Sequence, residues 1–562
     1  MMKKSARADK TFRLCVAQLD PVVGDIAGNL ALARQAREQA RADNADLVLF
    51  SELFICGYSP EDMARQPAFI AACEAAVLEL AWDTADGGAG VIIGTPLLRK
   101  GRLYNAVVVL DKGKIIAERY KIDLPNYDEF DERRVFVSGE DCEPVKFRGL
   151  SLGLPICEDI WNKVGICKML ADKGAELLLV ANASPYSRDK PKARLAVVKR
   201  QVKESGLPLV YVNQFGGQDE LVFDGGSFAL HADGSRAFQM AHFAQSTVTT
   251  VWEKTQVGWT CMDGMQEKLF SGHAADYTAC MVGLRDYVNK NGFKDVLLGL
   301  SGGMDSALCA ALAVDALGAE RVRTIMLPYR YTSQSSFSDA QACVDALGCR
   351  YDTIPIAAPV EGFMRALEPL FAGTENGVTE ENLQSRARGV ILMAVSNKFG
   401  ALVITTGNKS EMAVGYATLY GDMNGGFNPI KDVYKTQVYA LSAWRNKHKP
   451  ADAMGKKGMV IPQSILDKAP SAELREGQTD QDTLPPYDKL DDILECLIEK
   501  DMDVAAIVAK GYEKDEVERI ERLFYLAEYK RRQAAPGVKV TVKSLGRDRH
   551  YPITNRFRTI LK

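Results

Sequence analysis

A chain of 562 residues, 47% hydrophobic and 25% charged, is too long for one core and is expected to form about two to four domains of ordinary globular composition. A net charge of −3 gives no bulk field to recruit nucleic acid or an anionic membrane, and no apolar run approaches the ~20 residues of a membrane span. The 12 cysteines include no Cys-x-x-Cys pair, and the five histidines (His231, His242, His273, His448 and His550) stand outside every motif. A disulfide framework, a zinc site and a Ser-His-Asp or Cys-His mechanism are therefore disfavoured, and a reducing cytoplasm is the expected setting.

The basic stretch Met1–Lys10 lacks an apolar signal-peptide core and reads as a disordered tail. Phe12–Leu19 reads as a strand, Asn29–Ala42 as a helix and Leu47–Phe50 as a short buried strand. Gly90–Thr95 and Ala106–Leu110 follow as strands, with Asp111-Lys112-Gly113-Lys114 turning the chain before Ile115. Leu152–Ile156, Leu177–Val180 and Leu209–Asn213 repeat the pattern, and polar residues follow each. Residues 11–260 thus read as an α/β domain with ligand groups at strand ends. Residues 261–274 are poorly periodic and read as a linker. The second domain, 275–562, opens with a helix over Asp276–Asn291 and has strand candidates at Thr324–Leu327 and Ala401–Thr405. Beyond Lys447 the chain turns Pro-, Gly- and charge-rich, with helices expected at Leu490–Lys500 and Val517–Gln533. No internal repeat or low-complexity tract is visible.

Three residues stand just past strands in the first domain: Glu52, Lys121 and Cys157. A cysteine that attacks a carbonyl must lose its proton, and a thiol near its ordinary pKa is mostly neutral. A neighbouring lysine can depress that pKa and steady a tetrahedral oxyanion, and a carboxylate can take the thiol proton and return it to a leaving amine. The pieces Phe50-Ser51-Glu52-Leu53, Lys121-Ile-Asp-Leu-Pro-Asn-Tyr127 and Pro155-Ile-Cys-Glu-Asp-Ile-Trp161 resemble the nitrilase (carbon-nitrogen hydrolase) superfamily. Ser51 replaces that family's usual proline. The resemblance implies an αββα sandwich and, on the pattern of its glutaminase members, glutamine contacts at Tyr127, Ser184 and Lys190. Glu129 or Glu132 would supply a second carboxylate beside Lys121, and Tyr58 would either line the pocket or pack a loop.

The second domain carries the run Ser301-Gly302-Gly303-Met304-Asp305-Ser306, after the apolar Val296–Leu300 and before a helix-forming stretch. Strand, glycine turn and helix stack backbone N–H groups at a helix N-terminus, where an anion binds readily. No lysine follows, so this is not a Walker A loop. It resembles the PP-loop of ATP pyrophosphatases, which release pyrophosphate from the α-phosphate. The match extends through Asn382-Leu-Gln-Ser-Arg386, Thr405–Met423, Asp432-Val-Tyr-Lys435-Thr436, Ala469–Leu474 and Tyr529-Lys530 to the NAD synthetase signature. Taken with the amidase half, the chain resembles the glutamine-dependent NAD synthetases.

That resemblance implies a Rossmann-like parallel-sheet domain that amidates deamido-NAD through an adenylate. ATP contacts would be Gly299, Leu300, Ser301, Gly302, Gly303, Met304, Asp305, Ser306, Arg386, Thr406, Lys435 and Ser471. Asn382, Glu411 and Lys530 would bind deamido-NAD, and Asp305 and Glu411 would hold Mg²⁺. Leu419 replaces a lysine of the ammonia-only synthetases. An internal passage for ammonia between the two sites is expected, as is a homo-oligomer built on a dimer of synthetase domains; nucleic acid and membrane partners are not. GMP synthetase-like chains use a Cys-His-Glu glutaminase and asparagine synthetase-like chains a cysteine after Met1, where Met2 stands here, so both are disfavoured.

Overall fold

The computed structural model describes residues 11–140, 142–162, 165–549 and 551–557; the expected tail Met1–Lys10 and His550 lie outside them. The chain divides into two compact units. The first runs through Gln218 and continues from Val222 to Phe270, and the second comprises Asp219–Leu221 and the chain from Ser271.

In chain order the first unit's strands begin with β1 (Thr11–Gln18), β2 (Leu47–Leu49), β3 (Gly90–Arg99), β4 (Arg102–Asp111) and β5 (Lys114–Tyr120). Next come β6 (Val145–Phe147), β7 (Leu150–Gly153), β8 (Leu177–Asn182) and β9 (Leu209–Asn213). A two-stranded ribbon, β10 (Phe215–Gln218) with β11 (Leu221–Asp224), precedes β12 (Phe228–Leu230), β13 (Arg236–Gln239), β14 (Ser246–Thr255) and β15 (Gly258–Cys261). They form a seven-stranded sheet, β15-β14-β1-β2-β3-β4-β5, and a six-stranded sheet, β13-β12-β9-β8-β7-β6.

Strand parity explains why the two sheets stack. Phe12, Leu14 and Val16 of β1 and Leu47 and Leu49 of β2 share one core with Leu177 and Leu179 of β8 and Val210 and Val212 of β9. The alternate residues Leu178, Val180, Leu209 and Tyr211 face a second core with Ile166, Leu170, Val198 and Val202 from the helices Ile166–Asp172 and Lys190–Ser205. Apolar side chains on both faces are what a strand covered on both sides requires. Helices Ile26–Ala42 and Pro67–Asp83 pack on the seven-stranded sheet. The unit is the αββα sandwich that the sequence implied.

The second unit holds a parallel sheet of β16 (Val296–Gly299), β17 (Val322–Met326), β18 (Arg350–Thr353) and β19 (Leu402–Val403), ordered β18-β17-β16-β19. Strand order reverses beside β16, so the loops leaving β16 and β19 diverge and leave a crevice at their carboxyl ends. The expected strand Ala401–Thr405 shortens to Leu402–Val403: Ile404 still donates its N–H to Leu297 O of β16 at 2.8 Å, but its own bridge is to Phe427. The helix expected over Val517–Gln533 breaks at Ala527 into Lys514–Leu526 and Glu528–Arg531, where the Arg531 guanidinium takes up the Phe524 carbonyl at 2.6 Å.

Leu179 lies between the two sheets of the first unit and is 1% exposed. Leu179→Ala is expected to lower that unit's stability by about 2–5 kcal/mol, through lost burial and the cavity left behind. Urea unfolding checks this; a loss below about 1 kcal/mol would mean that the sandwich collapses onto the gap.

Candidate active sites

The first site is assembled around one buried ammonium. Lys121 leaves β5 with its backbone N–H donating to Asn105 O on β4 at 2.8 Å, which turns its side chain into the sandwich. Its Nζ donates to Glu52 Oε1 and Glu132 Oε1, both at 2.7 Å, and all three side chains are buried. Asn105 Nδ2 adds bonds to Glu52 Oε1 at 2.8 Å and Glu132 Oε2 at 3.3 Å, and Tyr58 donates its hydroxyl to Glu132 Oε1 at 2.8 Å. Glu52 Oε2 accepts the Ala183 N–H at 3.1 Å. The second carboxylate beside Lys121 is therefore Glu132. Burial opposes the charge on Lys121, but Glu132 and Glu52 outweigh it and hold the ammonium well above its usual range. Glu52 reaches this position because the turn after β2 crosses β3 at a glycine: a Cβ on Gly94 would lie 2.2 Å from Leu53 N.

Cys157 opens the short turn Cys157–Ile160 with φ of 42°, a left-handed conformation that costs a non-glycine residue free energy and lifts the side chain off the end of the strand. Asp159 fixes the turn: Oδ1 accepts the N–H groups of Ile122 and Asp123 at 3.0 and 2.8 Å, and Oδ2 that of Ile156 at 2.9 Å. The chain just after Lys121 and the chain just before Cys157 are thus pinned to one carboxylate. Burial pushes the Asp159 carboxyl up to about 7. The thiol corrects an expectation: burial, followed by the field of Glu52, drives Cys157 well above its usual range, and the opposing pull of Lys121 is outweighed. Cys157 is thus held as a neutral thiol.

Around it, Tyr127 donates to Glu158 Oε2 at 2.9 Å, and burial raises the Glu158 carboxyl. Ser184 N–H donates to Asn213 Oδ1 at 2.9 Å, and Ser184 Oγ accepts from Arg194 Nε at 3.1 Å. Lys190 Nζ sits 4.5 Å from the centroid of the Trp161 ring. Tyr127 and Lys190 therefore act on a buried carboxylate, Glu158, which stands beside Cys157 in the sequence, while Ser184 is held by Asn213 and Arg194.

In the second unit β16 delivers Gly299 and Leu300 into the glycine loop, and the helix Met304–Leu317 leaves it. Ser306 Oγ accepts the Ser301 N–H at 3.2 Å and donates to Gly303 O at 3.1 Å, closing the loop on itself. Gly302 has φ of +77°, and a Cβ there would lie 2.4 Å from Ser336 O, so both the conformation and the close approach require glycine.

Asp305 meets the loop that leaves β19. Asn408 Nδ2 donates to Asp305 Oδ1 at 2.8 Å, and Lys435 Nζ donates to Asp305 Oδ2 at 2.5 Å and to Glu411 Oε1 at 3.2 Å. Asn408 also caps the helix Lys409–Val414 by accepting the Glu411 N–H at 3.0 Å. Burial raises the Glu411 carboxyl, whereas Asp305 and Glu411 together overcome burial to keep Lys435 charged. Ser301, Gly303, Met304, Asp305, Ser306, Thr406, Glu411, Lys435 and Ser471 line one cavity. Gly299 and Leu300 line a second cavity, which shares Ser301, Ser306 and Thr406 with the first and adds the half-buried Arg388. Asn382, Arg386 and Lys530 line neither cavity. They hold one turn instead: Asn382 Oδ1 accepts Thr418 Oγ1–H at 3.0 Å, Arg386 Nε donates to Leu419 O at 3.3 Å, and Lys530 Nζ donates to Gly415 O and Ala417 O at 2.8 and 2.6 Å.

Asn105, Glu158, Asp159, Arg388 and Asn408 were not picked out from the sequence. Asn408 had a readable signal, the Asn-x-x-Glu spacing of a helix cap. Asn105 had only its position as an amide ahead of an apolar strand run.

Two family models match the chain: carbon-nitrogen hydrolase over residues 13–253 and NAD synthase over 277–534. The chain is 48% identical over 548 residues to a glutamine-dependent NAD(+) synthetase of Rhodobacter capsulatus, covering 97% of this chain and 99% of the relative. It is 46% identical over 560 residues to one from Xanthomonas campestris, covering 99% and 100%. A solved glutamine-dependent NAD+ synthetase from Acinetobacter baumannii, in complex with ADP, superposes with a TM-score of 0.77 at 39% identity over 97% of this chain and 99% of that one. With a carbon-nitrogen hydrolase unit followed by an NAD synthase unit, and with near-full-length identity to such relatives, this chain belongs to the glutamine-dependent NAD(+) synthetase family.

Proposed function

We propose that the protein hydrolyses glutamine at Cys157 and uses the ammonia to amidate deamido-NAD to NAD, consuming ATP and releasing AMP and pyrophosphate. The observation that carries the first half is the buried Lys121 held between Glu52 and Glu132. Cys157 Sγ attacks the glutamine amide carbon while Glu52 accepts the thiol proton. Because the thiol is neutral at rest, attack and proton transfer occur together. Lys121 steadies the developing oxyanion, and Glu52 returns its proton to the departing ammonia. Water then cleaves the thioester, with Glu52 as its base, and glutamate leaves. Glu158, with Tyr127, Ser184 and Lys190, is placed to take the charged α-amino and α-carboxylate groups.

In the second unit the PP-loop from Gly299 to Ser306, with Thr406, Lys435 and Ser471, is assigned to the ATP phosphates. The nicotinate carboxylate attacks the α-phosphorus and expels pyrophosphate, and ammonia then displaces AMP from the mixed anhydride. Arg386, Asn382 and Lys530 support the dinucleotide through the 415–419 turn that they hold. Asp305 and Glu411 fit Mg²⁺: both offer oxygen to one point, now held by Lys435, and no cluster of three or more His, Cys, Asp or Glu exists among the described residues. Two carboxylates with phosphate oxygens and water suit a magnesium ion, which neutralises phosphate charge when bound. The helices Ala357–Phe371 and Val378–Phe399 expose Phe363, Leu370, Val378, Val390 and Phe399, which supports a dimer of synthetase units. No helix among the described residues is long and apolar enough to cross a membrane, which is compatible with a cytoplasmic setting.

The test is an end-point assay with ATP, Mg²⁺ and deamido-NAD, supplied with glutamine or ammonium. Wild type is expected to form NAD and AMP from both nitrogen sources. Cys157→Ala is expected to retain only the ammonium reaction, because the nucleophile supplies most of the glutaminase rate, on the order of 10³-fold or more. Failure of wild type with both sources would sink the assignment. Asp159 provides a second check. Its carboxylate must be ionised to accept three N–H bonds, and its value near 7 lies above the ordinary one, so the glutaminase rate should rise with pH through about 7 and level off above it. Asp159→Asn is expected to flatten that step and lower glutamine kcat/KM up to about 100-fold without affecting ammonium-driven synthesis; an unchanged profile would remove Asp159 from this role.

A further inference from the structure

Lys409 is a fully buried lysine next to two residues of the synthetase site, and no step of the proposed reaction uses it. Its Nζ lies 2.8 Å from Asp432 Oδ1 and 3.0 Å from Glu499 Oε1, and donates to Thr541 Oγ1 at 2.7 Å and Lys543 O at 2.9 Å. The Tyr434 ring stands 4.8 Å below the ammonium. Asp432 Oδ2 in turn accepts the Val540 and Thr541 N–H groups at 2.9 and 2.7 Å and the Thr541 hydroxyl at 2.8 Å. The start of helix Lys409–Val414, the Asp432 loop and the stretch 540–543 therefore meet at a single buried charge. The NAD synthase match ends at residue 534, so 540–543 lies beyond the part of the chain that the family model describes.

We propose that residues 540–543 act as a strap that, through Lys409, sets the orientation of the Asn408–Glu411 turn and hence the placement of the Asp305, Glu411 and Lys435 cluster; this rests on the reading of that cluster as the ATP site. The helix that Lys409 opens has six residues, too few to hold its own direction without tertiary contacts. Its flanking residues do the work at the site: Asn408 Nδ2 binds Asp305 and Glu411 Oε1 accepts from Lys435. On the same turn Ser410 Oγ accepts the Lys435 N–H at 2.9 Å and donates to Asp491. Lys409 is the only one of these four consecutive residues bonded to the strap. It is a positioning residue, since it reaches nothing in either cavity.

The test uses full-length Lys409→Met and Thr541→Val, with Asp305→Asn as a reference, and measures ammonium-driven NAD formation, KM for ATP, glutamine hydrolysis and amide hydrogen exchange. Thr541→Val removes the hydroxyl's bonds to both Lys409 and Asp432 and is expected to raise KM for ATP by about tenfold or more, with glutamine hydrolysis unchanged. Lys409→Met is expected to do more, and both should speed exchange at 409–414 together with 540–543. If Lys409→Met does not fold, Thr541→Val decides. A wild-type KM for ATP and unchanged exchange at 409–414 in folded Thr541→Val would overturn the strap while leaving the site reading intact, provided that Asp305→Asn is inactive. Full synthesis by Asp305→Asn would sink the site reading and the strap with it.

Discussion

A lysine buried between two carboxylates is the constraint that organises this protein, and three such lysines stand among the described residues. Lys121 lies between Glu52 and Glu132, Lys435 between Asp305 and Glu411, and Lys409 between Asp432 and Glu499. A charge moved out of water costs several kcal/mol unless it is paired and hydrogen-bonded, so none of these groups can be buried alone. A lone pair of carboxylates would repel, and one would protonate. The ammonium permits both to stay close, at the price of geometry that tolerates little displacement. In the first two clusters burial still raises one of the paired carboxyls, Glu132 beside Lys121 and Glu411 beside Lys435, so the ammonium offsets the crowding of charge only in part.

Strand topology decides where these clusters can be built. In the first unit Glu52 comes from the end of β2, Lys121 from β5, Cys157 from the chain after β7 and the Ala183 N–H from the end of β8. Two sheets stacked by strand parity bring their strand ends to one edge of the sandwich, so four remote segments converge without any long loop. In the second unit the reversal of strand order beside β16 does the equivalent with one sheet: the glycine loop leaves β16 and the Thr405–Glu411 loop leaves β19, on either side of the crevice. The rigid parts are apolar and regular, whereas the reactive groups sit on the turns just past them. Strain is tolerated there, as at Cys157 with its φ of 42°.

That division also explains what the sequence disclosed. Apolar runs of the correct length mark β8 and β9, and a reactive residue type directly after such a run stands out, so Glu52, Cys157 and the glycine loop were legible. Glu132 was not separable from Glu129, because both lie in an irregular stretch and only the fold selects the one that meets Lys121. Asn105 was hidden inside β4, and its function depends on Glu52, 53 residues away in sequence. Arg386 and Lys530 were legible as motif members, but their bonding to the 415–419 turn follows from tertiary contacts that no local pattern encodes. The shortness of β19 was equally unreadable, since it depends on the bridge that Ile404 makes to the remote Phe427.

The thiol is where sequence reasoning and physics diverged most, and the divergence bears on catalysis. A lysine near a cysteine suggests a preformed thiolate, but this lysine is already shared by two carboxylates, and burial with the added field of Glu52 outweighs its pull on Cys157. A thiolate would add a negative charge beside two buried carboxyls. The neutral thiol avoids that cost, and in the proposed reaction it becomes reactive only as an electrophilic carbon takes its electrons while the proton moves. A thiol held neutral in this way is less open to oxidation and alkylation, which proceed through the thiolate. In the second unit Lys435 likewise occupies the point shared by Asp305 and Glu411, where burial raises the Glu411 carboxyl while the two acids hold the lysine charged. In both units the titratable groups are thus paired with one another, and each pairing rests on a buried lysine.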